Sequence, residues 1–117
     1  MDELTLKLLE IKTQMDDAKL KMSDNKFSTM MLAKSSRYMS YLRATGHAPA
    51  IEAMVHLYIR LDDLADSHRA EGNTSVAKQI GDMAASLWNT IRKTVLVMEP
   101  KRRNEAHTQM VNCTRQG

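Results

Sequence analysis

The stretch DNKFSTMMLAKSSRYMSYLRATGHAPAIEAMVHLYIRL, residues 24–61, decides the fold. Its apolar residues come in short groups separated by polar breaks. Ser23-Asp24-Asn25 supplies capping side chains for a segment containing Phe27, Met30, Met31 and Leu32, which Lys34-Ser35-Ser36 interrupts. Either serine can accept from the free amides of a new helix about ten residues long, whose inward members are Tyr38, Met39 and Leu42. Gly46 suits the left-handed cap at its end. Pro49 then stands where the first turn of another helix begins, and Glu52 behind it favours the positive end of the helix dipole. Ile51, Met54, Val55, Tyr58 and Leu61 carry that helix to about Ser67, with Leu64 and Ala65 extending its apolar face and Asp62, Asp63 and Asp66 left in water.

Outward from this centre the pattern stays helical. Leu4, Leu8, Ile11, Met15, Ala18 and Met22 recur in steps of four and three and line one face of a first helix over about residues 2–22. Arg69 to Asn73 is a polar loop containing Gly72. After it, Thr74 or Ser75 can cap a long last helix with Val76, Ile80, Met83, Leu87, Ile91, Thr94 or Val95, and Met98 on one face and Trp88 beside it, ending before Pro100. The expectation is one all-α domain of five helices over residues 1–98, followed by a flexible polar tail, 99–117, opened by Lys101-Arg102-Arg103.

Composition agrees with a small helical domain. Of 117 residues 43% are hydrophobic, 26% charged and only 4% aromatic, and four glycines and two prolines leave long stretches in which helices can grow. No apolar run approaches the ~20 residues of a membrane span, and the acidic start Met1-Asp2-Glu3 is unlike a secretory signal, so a cytoplasmic location is expected. The single Cys113 permits no internal disulfide and no cysteine-rich metal site. His47, His56, His68 and His107 lack the companion spacing of metal ligands and read as surface or cap residues, so no cofactor is expected. Asp62, Asp63 and Asp66 read as a solvated face; no nucleophile and base pair and no glycine-rich phosphate loop suggests an enzyme.

Charge is uneven in a way the net value of +3 hides. Between Asn25 and Ile51 stand Lys26, Lys34, Arg37 and Arg43 with no acidic residue, in the same window that holds two short helices and a tight turn. A helix-turn-helix unit packs two such helices on a third and leaves the outer face of the second free to enter the major groove.

The residues Leu32-Ala33-Lys34-Ser35-Ser36-Arg37-Tyr38-Met39-Ser40-Tyr41-Leu42, then Pro49, Ile51-Glu52-Ala53-Met54, Leu57 and Leu61, resemble the Cro/C1-type helix-turn-helix domain of phage and bacterial repressors over residues 24–64. Ala33 stands where that family opens its turn with a small residue. Ser35 stands at the start of its recognition helix, Met39-Ser40-Tyr41-Leu42 in the segment that follows, and Pro49-Ala50-Ile51-Glu52 at its next helix start. Three positions depart: the turn glycine is Ala33, Phe27-Ser28 stands one residue further from Leu32 than the family's usual Leu-Ala pair, and Arg43 replaces a glutamate. The second of these predicts an offset or slightly longer helix before the turn.

The resemblance implies a small sequence-specific, dimeric DNA-binding regulator. Its expected DNA contacts are Lys26, Lys34, Ser35, Ser36, Arg37, Ser40, Tyr41 and Arg43. Arg37 would make a bidentate contact to guanine, and Lys26, Lys34 and Arg43 would anchor the phosphate backbone. Dimerisation is expected along residues 75–98 through Met83, Leu87, Trp88 and Ile91, Trp88 being the one large aromatic anchor. The stripe on the first helix reads either as a coiled-coil seam or as cover for the domain's own core. The alternative function is a helical adaptor or inhibitor that binds a protein. Ten methionines favour it if they form an exposed patch, and Met30, Met31, Met39 and Met54 decide the matter by their burial.

Overall fold

Apolar stripes at helical spacing need a common core, and five helices provide one. The computed structural model describes residues 2–98. Among them lie α1 (Glu3–Asp17), α2 (Asp24–Lys26) running on into a π-helical turn (Phe27–Met31), α3 (Tyr38–Thr45), α4 (Ile51–Ala70) and α5 (Thr74–Met98), with no strand. The long helices α4 and α5 make the most extensive pair, α1 lies along α5, and the π turn packs on α4. One cluster joins Leu4, Leu8, Ile11 and Met15 of α1 to Phe27, Met31 and Leu32, to Met39 and Leu42 of α3, and to Leu57, Leu61, Ile80 and Leu87 of the long pair. The α1 stripe thus covers the chain's own core.

Helix α1 stops five residues short of the expected position 22. Leu20 N–H donates to Met15 C=O (2.8 Å) and Lys19 N–H to Asp16 C=O (3.1 Å), with Lys19 left-handed at φ 65°. These two bonds form a Schellman stop, in which Leu20 packs back on the core. Asp16 and Asp17 add negative charge at the negative end of the dipole, which also disfavours continuation. The sequence pattern overran because Leu20 and Met22 keep their apolar contacts from an extended linker. Lys12 holds that linker, its Nζ donating to Met22 C=O at 3.0 Å and lying 5.7 Å from the Phe27 ring centre. The same two-bond stop ends α4 at Ala70, with Gly72 at φ 87° in the left-handed place.

The helix before the turn widens at its end. Leu32 N–H reaches back five residues to Phe27 C=O (3.2 Å), the bond that defines a π turn. Phe27 and Ser28, at its start, are both buried. The Ser28 hydroxyl donates to Asp24 C=O (2.8 Å) and accepts from Met39 N–H (3.0 Å), an otherwise orphan donor in the first turn of α3. Neither Ser35 nor Ser36 caps that helix, contrary to expectation: Arg37 occupies the cap position without a side-chain bond. The helix therefore begins at Tyr38 and has eight residues rather than ten.

Two further bonds seat this region on α4. Tyr38 Oη accepts from Ala50 N–H (2.8 Å), and His56 Nδ1–H donates to the Met31 carbonyl (2.8 Å) at the end of the π turn. Between the π turn and α3, Ala33 takes the left-handed conformation at φ 55°, and Gly46 does so after α3 at φ 73°. A Cβ in that conformation costs about 1–2 kcal/mol. Ala33→Gly and Lys19→Gly are each expected to stabilise by about 0.5–1 kcal/mol after the added chain entropy of glycine is counted, read by urea unfolding. Ser28→Ala is expected to cost about 1–3 kcal/mol in the same measurement, since it leaves Met39 N–H buried and unpaired.

Candidate nucleic-acid interface

Helix α3 carries two faces set by its register. Met39 and Leu42 point into the core with Tyr38 half-buried beside them, while Arg37, Ser40, Tyr41 and Ala44, spaced i, i+3, i+4 and i+7, form an exposed stripe with no acidic member. Ser35 and Ser36 extend it along the preceding turn, and Lys26 is exposed on α2. Tyr41 meets His47 edge to face at 5.6 Å between ring centres, and Thr45 accepts from His47 N–H (3.2 Å), which holds the chain just after Gly46 against the stripe.

The window that lacks acids in sequence does not lack them in space. Arg43 Nε and Nη2 reach the two oxygens of Asp24 at 3.0 and 3.4 Å, and Lys34 Nζ lies 3.3 Å from Glu52 and 5.7 Å from the centre of the Tyr38 ring. Lys34 is half-buried by these contacts. Asp24 and Glu52 flank the window at either end, and the fold returns both of them to it. Lys26 and Arg37 have no ion-pair partner among the described residues. Two cations, not four, are therefore available to a polyanion. Nineteen residues separate Asp24 from Arg43, and no local spacing rule links them.

The hydrogen bond from Arg43 holds the Asp24 carboxyl below its ordinary value of 3.8; partial burial opposes this, and the charges of Arg43 and Lys12 reinforce it. A carboxyl depressed in the folded state contributes stability that is present above the unfolded value and lost as pH falls through the folded one.

The four residues expected to dimerise are divided. Met83, Leu87 and Ile91 are 5%, 0% and 3% exposed within the chain's own core, whereas Trp88 is 42% exposed and stacks on Tyr58 with ring centres 5.2 Å apart. Only Trp88 of the four presents surface to a second copy. Of the four methionines expected to decide the adaptor reading, Met31, Met39 and Met54 are buried and Met30 is exposed, so these four form no exposed patch. No group of three or more His, Cys, Asp or Glu side chains is placed to hold a metal among the described residues. No described helix is long and apolar enough to cross a membrane. The expected flexible tail, with Lys101, Arg102 and Arg103, lies outside the described residues.

Two structural roles differ from the sequence reading: Asp24, expected as a capping side chain, pairs with Arg43, and His56, expected at the surface or a cap, bonds the Met31 carbonyl. Ser28, which bridges Asp24 C=O and Met39 N–H, had no role assigned in the sequence beyond its place beside Phe27. Asp24→Asn is expected to lower stability at neutral pH, with the gap to the unsubstituted protein closing as pH falls below about 4, read by thermal melts across a pH series.

No curated protein and no solved structure matches the chain. A family model does match, over residues 8–109, which takes in α1 from Leu8 and all of α5 as well as the central window. The chain belongs to the DUF6626 family, a family of unknown function.

Proposed function

We propose that this protein is a small sequence-specific DNA-binding regulator in which α2 with its π turn, the turn at Ala33 and α3 act as a helix-turn-helix unit. The observation that carries the reading is the exposed, acid-free stripe of Arg37, Ser40, Tyr41 and Ala44 on a helix whose inner face and Met39 amide, in its first turn, are both held by buried groups. The left-handed residue between the two short helices adds support, since it stands where a Cro/C1-type unit uses glycine.

Specificity on this reading comes from few side chains. An eight-residue helix is about 12 Å long, enough to span three or four base pairs in the major groove. Arg37, at the N-terminal end of the helix, is suited to the O6 and N7 acceptors of guanine; Ser40 and Tyr41 would reach neighbouring base edges, and Lys26 a phosphate. Lys34 and Arg43 contribute less than their charges suggest, because Glu52 and Asp24 already hold them. A single subunit of this size binds weakly. Two copies on half-sites about 34 Å apart would supply the missing affinity.

Selection of random duplexes on the purified protein tests the reading. The expected result is an enriched site whose affinity falls about 5- to 150-fold with Arg37→Ala, the range for loss of a bidentate base contact. The salt dependence of log K should have a slope near −1 per subunit, set by the Lys26 phosphate contact, and should steepen by about one in Asp24→Asn, which releases Arg43. Absence of enrichment, with weak binding indifferent to Arg37, would remove the proposal.

A further inference from the structure

The hairpin of α4 and α5 has one side that the other described helices do not cover. His56 bonds the Met31 carbonyl of the π turn, and Ser86 Oγ accepts from Lys7 Nζ of α1 at 2.7 Å, so these two residues mark the sides of α4 and α5 that are turned to the rest of the fold. Tyr58 and Trp88 each stand two residues further on, about 200° around their helices, and therefore on the far side. There the two rings stack, with Trp88 still 42% exposed. Ala85 and Leu96 are exposed along the same strip of α5, one turn before Trp88 and two turns after it, and Val55 is half-buried beside Tyr58 on α4. Stacked Tyr and Trp rings left partly in water among aliphatic neighbours have the composition of an interface centre.

The charges beside the stack are arranged for a second copy of the same face. A three-residue connection, Glu71–Asn73, makes α4 and α5 antiparallel neighbours. Asp62 lies one turn, about 6 Å, beyond Tyr58 toward the end of α4, and Arg92 lies one turn beyond Trp88 toward the end of α5. Acid and cation therefore stand at equal distances on opposite sides of the stack, about 12 Å apart along the hairpin, too far to pair within one copy. Both are exposed, and neither has an ion-pair partner among the described residues. A two-fold axis lying in the plane of the face, across the helices at the level of the stack, inverts that order. It brings Asp62 of one copy to the level of Arg92 of the other, and does so twice. Packed helix axes are about 8–10 Å apart, a gap that an arginine reaching toward an aspartate can bridge. A contact between identical surfaces requires self-complementarity of this kind.

We propose that the Tyr58–Trp88 side of the hairpin is the interface between two copies of this chain, with the stacked rings at its centre and an Asp62–Arg92 ion pair on either side of it. Self-association stands on this geometry alone. That it supplies the second half-site rests on the DNA reading.

Sedimentation of the full chain from about 1 to 500 µM tests the proposal, with the emission of Trp88, the chain's one tryptophan, followed over the same dilution. The expected result is a monomer–dimer equilibrium with a Kd on the order of 10 µM, and emission that moves to longer wavelength as dilution returns Trp88 to water. Asp62→Arg and Arg92→Asp each set like charges together and should weaken the dimer at least about tenfold, while leaving the melt of the dilute monomer nearly unchanged because both sites are exposed. Mixed in equal amounts, these two variants should associate with each other about as tightly as the unsubstituted chain does with itself, since both cross pairs are then opposite in sign. Monomer alone at about 500 µM would overturn the proposal. So would a dimer whose Trp88 emission is indifferent to dilution, single charge variants as dimeric as the unsubstituted protein, or a mixture of them that stays monomeric. No DNA enters these measurements, so their failure leaves the reading of α3 standing, and a failed duplex selection leaves the dimer standing.

Discussion

A single buried hydroxyl ties together the part of the molecule on which any function of α3 depends. Ser28 gives its proton to the carbonyl of Asp24 and takes the amide of Met39, so one atom closes the first turn of α2 and caps the first turn of α3. Ser28 and its neighbour Phe27 are both fully buried at the start of the π turn. Loss of the Ser28 hydroxyl would leave Met39 N–H buried and unpaired. Tyr38 to Ala50 and His56 to Met31 then fix the same pair of short helices on α4. The inward side of α3 is thus held by several independent bonds and by its buried residues, which fixes where its outward stripe points.

Electrostatics oppose that positioning. Asp24 adds negative charge to the first turn of α2, which Ser23 caps, yet the same carboxylate occupies Arg43 and lies 3.5 Å from Lys12. Glu52, favourable at the start of α4, occupies Lys34. Each acid serves a helix N-terminus and thereby neutralises a cation of the acid-free window. Exposed pairs of this kind contribute little to stability, so their larger effect is on what the surface presents to a charged partner. On the proposed DNA reading, specificity would come from Arg37 and its polar neighbours, not from a broad positive field.

Much of this architecture is legible in the sequence, and the exceptions have physical causes. The long helices α4 and α5 are visible because their apolar positions repeat over many turns and their ends carry glycine, proline or polar loops. The left-handed cap at Gly46 follows from residue type alone. The end of α1 is hidden because Lys19 adopts a conformation usually left to glycine and because Leu20 and Met22 remain apolar outside the helix. The start of α3 is misplaced because its cap comes from a serine eleven residues away, not from Ser35 or Ser36 beside it. No local pattern within Phe27–Leu32 specifies the π turn, which depends on tertiary packing. On the candidate site, exposure of the α3 stripe is readable from its register, whereas the loss of Lys34 and Arg43 to flanking acids is not. The apolar face of α5 illustrates the same limit: its spacing identifies Met83, Leu87 and Ile91 as a contact surface, and the fold itself is what they contact.

The central claim is that the exposed side of α3 is the working surface of the molecule. Backbone NMR of the labelled full chain, titrated with duplex DNA at low salt, tests it at residue resolution. The account predicts that the amides of Lys26, Arg37, Ser40, Tyr41 and Ala44 shift together and saturate, while those of Ile59 and Trp88 on the long helices stay in place. Shifts centred on Ile59 and Trp88, with α3 silent, would contradict it and move the functional surface to the α4 and α5 pair.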